Sequence, residues 1–152
     1  VLELEGKVDT MHINPDEVIR NHIESGKTLK ILVSEDELIN QRFLEVTMRK
    51  LGFACDLSCN GADTLDKIRK NHYDIVLLDM QLPVMNGEEV LAAMRDEGLI
   101  EQSFIIAQTA YTRKKDIDKY ISFGCCSCIP KPINPSMLKM KIAEAILHLS
   151  GK

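Results

Sequence analysis

The stretch DIVLLDMQLPVMNG, residues 74 to 87, constrains the fold more than any other part of the chain. Ile75, Val76, Leu77 and Leu78 run without polar alternation straight into Asp79. A short apolar run with no polar face reads as a strand buried on both sides, and such strands occupy the middle of parallel sheets. Pro83 and the pair Asn86-Gly87 then break the strand and open a loop. Asp79 is therefore predicted at the carboxyl end of a central strand, where open α/β sheets bind their ligands. A carboxylate there is poorly placed as a core residue and well placed as a reactive group.

The rest of the chain alternates around this strand. Leu29 to Ser34 reads as an apolar strand. A helix over 38–51 follows, with Ile39, Phe43, Val46 and Leu51 at roughly helical spacing and Gly52 closing it. Phe53 to Ser58 is a second strand, and Asn60-Gly61 turns into a helix marked by Ala62, Leu65 and Ile68. After the third strand, Asp74 to Asp79, Asn86 caps a helix that faces Val90, Leu91 and Met94 inward. Phe104 to Gln108 is a fourth strand, and a helix over 112–123 carries Ile117 and Ile121 on one side and ends at Gly124. Cys125 to Ile129 makes a fifth strand, and Pro135 opens a last helix with Leu138, Ile142, Ala145 and Leu149 in one stripe. Parallel strands need crossovers, so fivefold strand-helix alternation predicts an α/β fold with helices on both faces of a parallel sheet.

A chain of 152 residues is one domain, large enough to remove roughly 70% of its unfolded surface from water. Residues 1–28 differ from the rest and read as a linker with a short helix, leaving 29–152 as the main domain. Asn14, Pro15, Asp16 and Glu17 make a helix start, Val18, Ile19, His22 and Ile23 an apolar stripe, and Gly26 a stop. Three turns are too few to stand alone, so this helix must dock or fray. His22 reads as a structural or surface residue. The start at Val1 suggests a piece of something longer.

A net charge of −4 argues against a nucleic-acid-binding surface. No apolar stretch approaches the ~18 residues needed to cross a bilayer, and no signal segment opens the chain. Cys55, Cys59, Cys125, Cys126 and Cys128 are an odd set, suited to free thiols in a reducing compartment. The CCSC group lacks a matching Cys or His pair at zinc spacing. It reads as small buried side chains on a strand.

The expected strand ends carry the chemistry. The first strand ends at Glu35 and Asp36, the third at Asp79 and the fourth at Thr109, and the fifth runs into Lys131. In a parallel sheet these ends share one edge, so the five groups can converge. Three adjacent carboxylates repel and are hard to ionise together without a cation. Mg²⁺ suits them, because it takes oxygen ligands and is commonly held by one or two carboxylates plus a phosphate. Lys131 adds a positive charge for an anion and Thr109 a hydroxyl donor. The set reads as a phosphoryl site around an aspartate, a residue type that accepts phosphoryl groups in covalent catalysis. Taken singly, Asp36 and Thr109 read as helix caps and Lys131 as a surface lysine. Their joint placement on four strand ends favours the site.

With ILVSEDE, DIVLLDMQLPVMNG, QTAY and CIPKPI in this order and spacing, residues 29 to about 149 resemble the receiver domain of a two-component response regulator. With such a domain, the start at Val1 and the linker-like residues 1–28 point to the C-terminal receiver of a hybrid sensor histidine kinase. The resemblance implies a flavodoxin-like, doubly wound five-stranded sheet in the order 2-1-3-4-5. It implies that Asp79 is the phosphoacceptor, that Glu35, Asp36, Asp79 and the backbone carbonyl of Gln81 hold Mg²⁺, and that Thr109 and Lys131 contact the phosphoryl oxygens. The Lys131-Pro132 bond resembles the family's cis peptide. Such a domain catalyses its own phosphorylation and dephosphorylation. Gln81 and Tyr111 sit where the family tunes water attack on the acyl phosphate. The implied partner is a histidine kinase or histidine phosphotransfer protein, with no nucleic acid or membrane contact by the domain itself. The implied location is the cytoplasm, in a parent chain that can itself be membrane-anchored. Pairing of two copies through the last helix and fifth strand stays open, as do a stand-alone regulator and a non-phosphorylated docking module.

Two positions depart from the family's usual pattern. Asn86 stands where Asp is frequent, and either residue caps a helix. Cys128 stands where the resemblance expects Tyr or Phe, an aromatic that moves inward when the threonine moves toward the phosphate. Cys128 is too small for that gate, so the usual form of relay is in question while the chemistry is not. A phosphohydrolase of the haloacid dehalogenase type needs a second acid two residues after its aspartate, where this chain has Gln81. A flavodoxin needs a phosphate-binding loop where this chain is acidic.

Overall fold

The computed structural model describes residues 12–151. A short helix α1 (Pro15–Glu24) precedes β1 (Ile31–Ser34), α2 (Leu38–Leu51), β2 (Asp56–Ser58), α3 (Gly61–Lys70) and β3 (Ile75–Asp79). Then come α4 (Gly87–Asp96), β4 (Phe104–Thr109), α5 (Lys114–Ser122), β5 (Ser127–Pro130) and α6 (Pro135–Ser150). The sheet runs β2-β1-β3-β4-β5, and every pair is parallel. This is the doubly wound order that the motifs implied.

The unbroken apolar strands are buried on both faces, as their composition demands. Ile75, Val76, Leu77 and Leu78 are each fully buried. Alternate residues serve two separate cores. Val33, Leu77 and Ile106 face the core under α2 and α6, together with Leu44, Met48, Leu138 and Ile142. Val76, Leu78, Ile105 and Ala107 face the core under α3, α4 and α5, with Leu65, Leu91, Met94 and Tyr120. Asparagine caps start α1, α3, α4 and α6: Asn14, Asn60 and Asn134 accept backbone N–H bonds, and Asn86 forms a reciprocal capping box with Glu89.

Several boundaries and faces differ from the sequence expectation. β2 is only Asp56–Ser58, and β5 starts at Ser127, so Cys125 and Cys126 precede it. All five thiols are free. Cys55 is half-buried and Cys59 exposed; in the CCSC group Cys125 is buried, Cys128 half-buried and Cys126 exposed, so the buried reading of that group holds only in part. Burial pushes the Cys55 thiol up to about 11, with Glu45 and Asp56 adding to the rise. On α2 the inward face is Leu44, Thr47 and Met48. Ile39, Phe43 and Val46 are 82%, 42% and 46% exposed. Thr47 is tolerated inside because its hydroxyl donates to the Phe43 carbonyl at 2.7 Å. On α5 the buried residue is Tyr120, while Ile121 is largely exposed.

Residues 1–11 of the expected linker lie outside the described residues. Its helix docks on the main body: Ile19 is buried in the α2–α6 core, and Lys139 reaches Asp16 at 2.9 Å. The His22 ring lies tilted against Phe53, with ring centroids 6.0 Å apart.

Candidate functional site

The strand register brings the polar ends level. Ser34 pairs with Leu78, Asp79 with Gln108 and Thr109 with Pro130. One residue further, Glu35 and Asp36 leave β1, and Lys131 leaves β5. The structure thereby sets Glu35, Asp36, Asp79, Thr109 and Lys131 along one edge of the sheet. Carboxylate oxygens of Glu35, Asp36 and Asp79 lie within 4.8 Å of one another. Glu35 and Asp79 are 2% and 1% exposed, while Asp36 is exposed.

The two buried carboxylates, Glu35 and Asp79, are held by their surroundings. Glu35 accepts a hydrogen bond from the Glu37 N–H at 3.0 Å, and its backbone carbonyl accepts one from the Gln41 amide at 2.6 Å. Burial raises the Glu35 pKa against the opposing Glu37 hydrogen bond; Asp79 pushes it further up and Lys131 pulls it down. Asp79 Oδ1 accepts from Lys131 Nζ at 2.6 Å and from the Gln81 N–H at 2.9 Å. Asp79 Oδ2 is buried with no hydrogen-bond partner. An orphaned carboxylate oxygen is costly in a dry site. An orphaned oxygen beside two further carboxylates is the donor set of a hard oxygen-seeking cation. The residues present therefore fit Mg²⁺.

Thr109 is fully buried, and its Oγ1 accepts from the Tyr111 N–H at 2.9 Å. The Lys131 N–H donates to the Thr109 carbonyl at 2.9 Å, and Lys131-Pro132 is cis. Gln81 is exposed, and Tyr111 is 51% exposed beside the site.

The loop after Asp79 is clamped by close backbone packing. The Gly87 N–H donates to the Met80 carbonyl at 3.2 Å, and a Cβ on Gly87 would meet the Met80 Cα at 2.7 Å. A Cβ on Gly61 would overlap the Met85 carbonyl, while the Gly61 N–H donates to the Pro83 carbonyl at 3.3 Å. The glycine at 61 is thus required by contact with the loop that carries Gln81. Gly61→Ala is expected to cost about 2 kcal/mol, the range of overpacking, and to weaken Mg²⁺ binding. Urea unfolding and calorimetric titration check the two effects. A variant as stable as wild type would mean that the loop gives way freely.

Residue-by-residue reading missed two groups. Gln108 is 1% exposed, and its amide donates to the Ser34 carbonyl at 3.1 Å, bridging the tips of β4 and β1 across β3. Its signal was one polar residue inside an apolar strand. Ser34, Ser58 and Thr64 form a buried triangle of hydroxyls at 2.7–2.9 Å behind the carboxylates.

A doubly wound sheet with an acidic pocket and a lysine at the carboxyl edge of its strands defines a class of phosphoryl-handling signalling modules. The family model for the response regulator receiver domain matches residues 31–143, and the chain belongs to that family: it is a receiver domain of two-component systems. It is 34% identical over 116 residues to hybrid signal transduction histidine kinase I of Dictyostelium discoideum, covering 72% of this chain and 7% of that one. It is 31% identical to the sensor histidine kinase RcsC of Escherichia coli, covering 79% and 12%. The chain thus spans a small fraction of the curated relatives it matches. Among solved structures, it resembles the receiver domain of the Saccharomyces cerevisiae regulator Ssk1, crystallised with the histidine phosphotransfer protein Ypd1. The TM-score is 0.75 at 27% identity, over 80% of this chain and 91% of the other. It also resembles the receiver of the Pseudomonas aeruginosa sensor kinase PA1611, which has magnesium in its active-site cleft. There the TM-score is 0.71 at 27% identity, over 79% and 98% of the two chains. Among the described residues no helix is long and apolar enough to cross a membrane.

Proposed function

We propose that this receiver takes a phosphoryl group from a phosphohistidine onto Asp79 in a Mg²⁺-dependent phosphorelay. The observation that carries the reading is the asymmetry of Asp79: Oδ1 is pinned by Lys131 and Gln81, and Oδ2 is buried and unpartnered. A carboxylate held by one oxygen presents the other in a defined direction, which is what an in-line attack on phosphorus requires. The Asp79 oxygen forms the new O–P bond, the P–N bond breaks, and the imidazole leaves with its electron pair. Lys131 compensates charge on the transferring oxygens, and the Thr109 hydroxyl donates to one of them. Glu35, Asp36, Asp79 and the Gln81 carbonyl would hold Mg²⁺, which when bound neutralises phosphoryl charge. Water attack on the acyl phosphate returns the carboxylate, and half-exposed Tyr111 stands where it can shield that bond.

The partner face of this reading is α2. Its exposed residues Ile39 and Phe43 line a groove of about 580 Å³ together with Glu35, Gln108, Lys131 and Pro132. The groove thus leads from an apolar helix face to the acidic site. Such a face suits the helix of a histidine-bearing partner, and the relative crystallised with a phosphotransfer protein supports that reading. Residues 29–152 would be the receiver and 1–28 the linker of a cytoplasmic region in a larger hybrid kinase, as the curated relatives suggest.

Intact mass after incubation with acetyl phosphate tests the core of the proposal. One added phosphoryl group with Mg²⁺, and none with chelator, is the expected result. A folded protein that gains nothing from acetyl phosphate or from a phosphorylated phosphotransfer protein would make this a docking module.

A further inference from the structure

We propose that Tyr120 is a positioning residue for the Thr109 hydroxyl, and that it carries the phosphorylation state of the site into α5. The inference rests on the phosphoacceptor reading of Asp79. Tyr120 lies in the last turn of α5 with its ring inside the α3–α5 core, and it is 5% exposed. A buried phenol needs a hydrogen-bond partner. Among the described residues, the partner of the Tyr120 hydroxyl is Thr109 Oγ1, 3.4 Å away. That distance is long for O–H···O geometry.

The Thr109 hydroxyl is held on one side only. It accepts from the Tyr111 N–H at 2.9 Å, while its own proton has two acceptors in reach, the Tyr111 carbonyl and the Tyr120 oxygen, each at 3.4 Å. Neither is a strong bond, so the hydroxyl sits in a shallow well and reorients at little cost. A phosphoryl oxygen on Asp79 offers a charged acceptor, and charge-assisted bonds are roughly twice as strong as neutral ones. A hydroxyl has one donor and two acceptor lone pairs. Thr109 can therefore donate to the phosphoryl group while still accepting from Tyr120, provided the phenol follows it. If the phenol does not follow, it loses its partner inside a core. Either way the state of Thr109 is coupled to the position of α5.

The side chains beside the ring on the β5 side are small. Ala107 pairs with Cys128 across β4 and β5, and Ala107, Tyr120 and Cys128 belong to the same core. Two small side chains therefore wall the core beside β5, and the ring comes instead from the helix. The structure thus places on α5 an aromatic that β5 does not supply. The same Tyr120 backbone carbonyl accepts the Cys125 N–H at 3.1 Å, so a shift of Tyr120 is passed to the strand entering β5.

The test uses the whole chain with beryllofluoride and Mg²⁺ as the phosphoryl mimic, loading being counted by fluorine NMR. The chain has three tyrosines, so labelling at the ring carbon Cζ gives three resonances, and Tyr120→Phe identifies one of them. On loading, the Tyr120 resonance of wild type is expected to shift. Tyr120→Phe is expected to load fully while the hydrogen-exchange response of residues 114–122 falls about five-fold, the lower end of ordinary coupling. A Tyr120 resonance that stays still, or an undiminished response in Tyr120→Phe, overturns the inference and leaves the site reading standing. Loss of loading in Tyr120→Phe also overturns it, by placing Tyr120 in binding itself. Failure of wild type to load overturns the site reading and this one together.

Discussion

Asp79→Asn is expected to abolish phosphoryl gain from acetyl phosphate and from a phosphorylated partner alike. The substitution keeps the shape of the side chain. Its amide oxygen can still accept from Lys131 and from the Gln81 N–H, which now meet Asp79 Oδ1 at 2.6 and 2.9 Å. The strand is therefore expected to keep its place, and Leu77 and Leu78 below it are fully buried whatever residue follows. The nucleophile is lost: the amide replaces the buried, unpartnered Oδ2 with a nitrogen whose electron pair is delocalised. Intact mass before and after the donor, with circular dichroism as the folding control, measures the outcome. A folded Asp79→Asn protein that still gains one phosphoryl group would place the acceptor elsewhere.

Lys131→Met is expected to move two readouts in opposite directions. The ammonium donates to a buried carboxylate oxygen at 2.6 Å and is itself only 27% exposed. Methionine keeps much of the stem and removes the charge. Phosphorylation is expected to slow about 10²- to 10³-fold, the usual consequence of losing one group aimed at transition-state charge. Mg²⁺ binding is expected to tighten, roughly ten-fold, because a unit charge near a divalent cation repels it by more than 1 kcal/mol even at an effective dielectric constant of about 20. Stopped labelling and calorimetric titration separate the effects. Slower phosphorylation with weaker Mg²⁺ binding would mean that Lys131 acts by holding the pocket together.

The juxtaposition of the candidate site residues was legible in the sequence for a topological reason. Parallel strands put all their carboxyl ends on one edge, so a residue's place in its strand is also its place in the pocket. Glu35, Asp36, Asp79, Thr109 and Lys131 follow their strands directly, and the fold sets them along one edge of the sheet. Gln108 was harder to read, because a polar residue one position before the end of an apolar strand says nothing about its partner. Its bond to the Ser34 carbonyl joins residues 74 positions apart.

Sequence by itself determined the order of elements, the parallel sheet and the convergence of the charged groups, since periodicity, breakers and crossover geometry suffice for these. Tertiary structure alone decided which faces turn inward. On α2 the stripes Ile39–Phe43–Val46 and Leu44–Met48–Leu51 are both apolar and both helically spaced, so periodicity cannot choose between them. The sheet accepts the one whose side chains fit its pleats, and the other is left facing out as 42–82% exposed surface. The same holds for α5, where Ile117 and Ile121 gave the visible apolar spacing but Tyr120 is the residue buried. A phenol is amphipathic: its ring enters the core with its hydroxyl in reach of Thr109 Oγ1. That proximity depends on where β4 ends relative to α5, which the folded chain sets and no local pattern encodes.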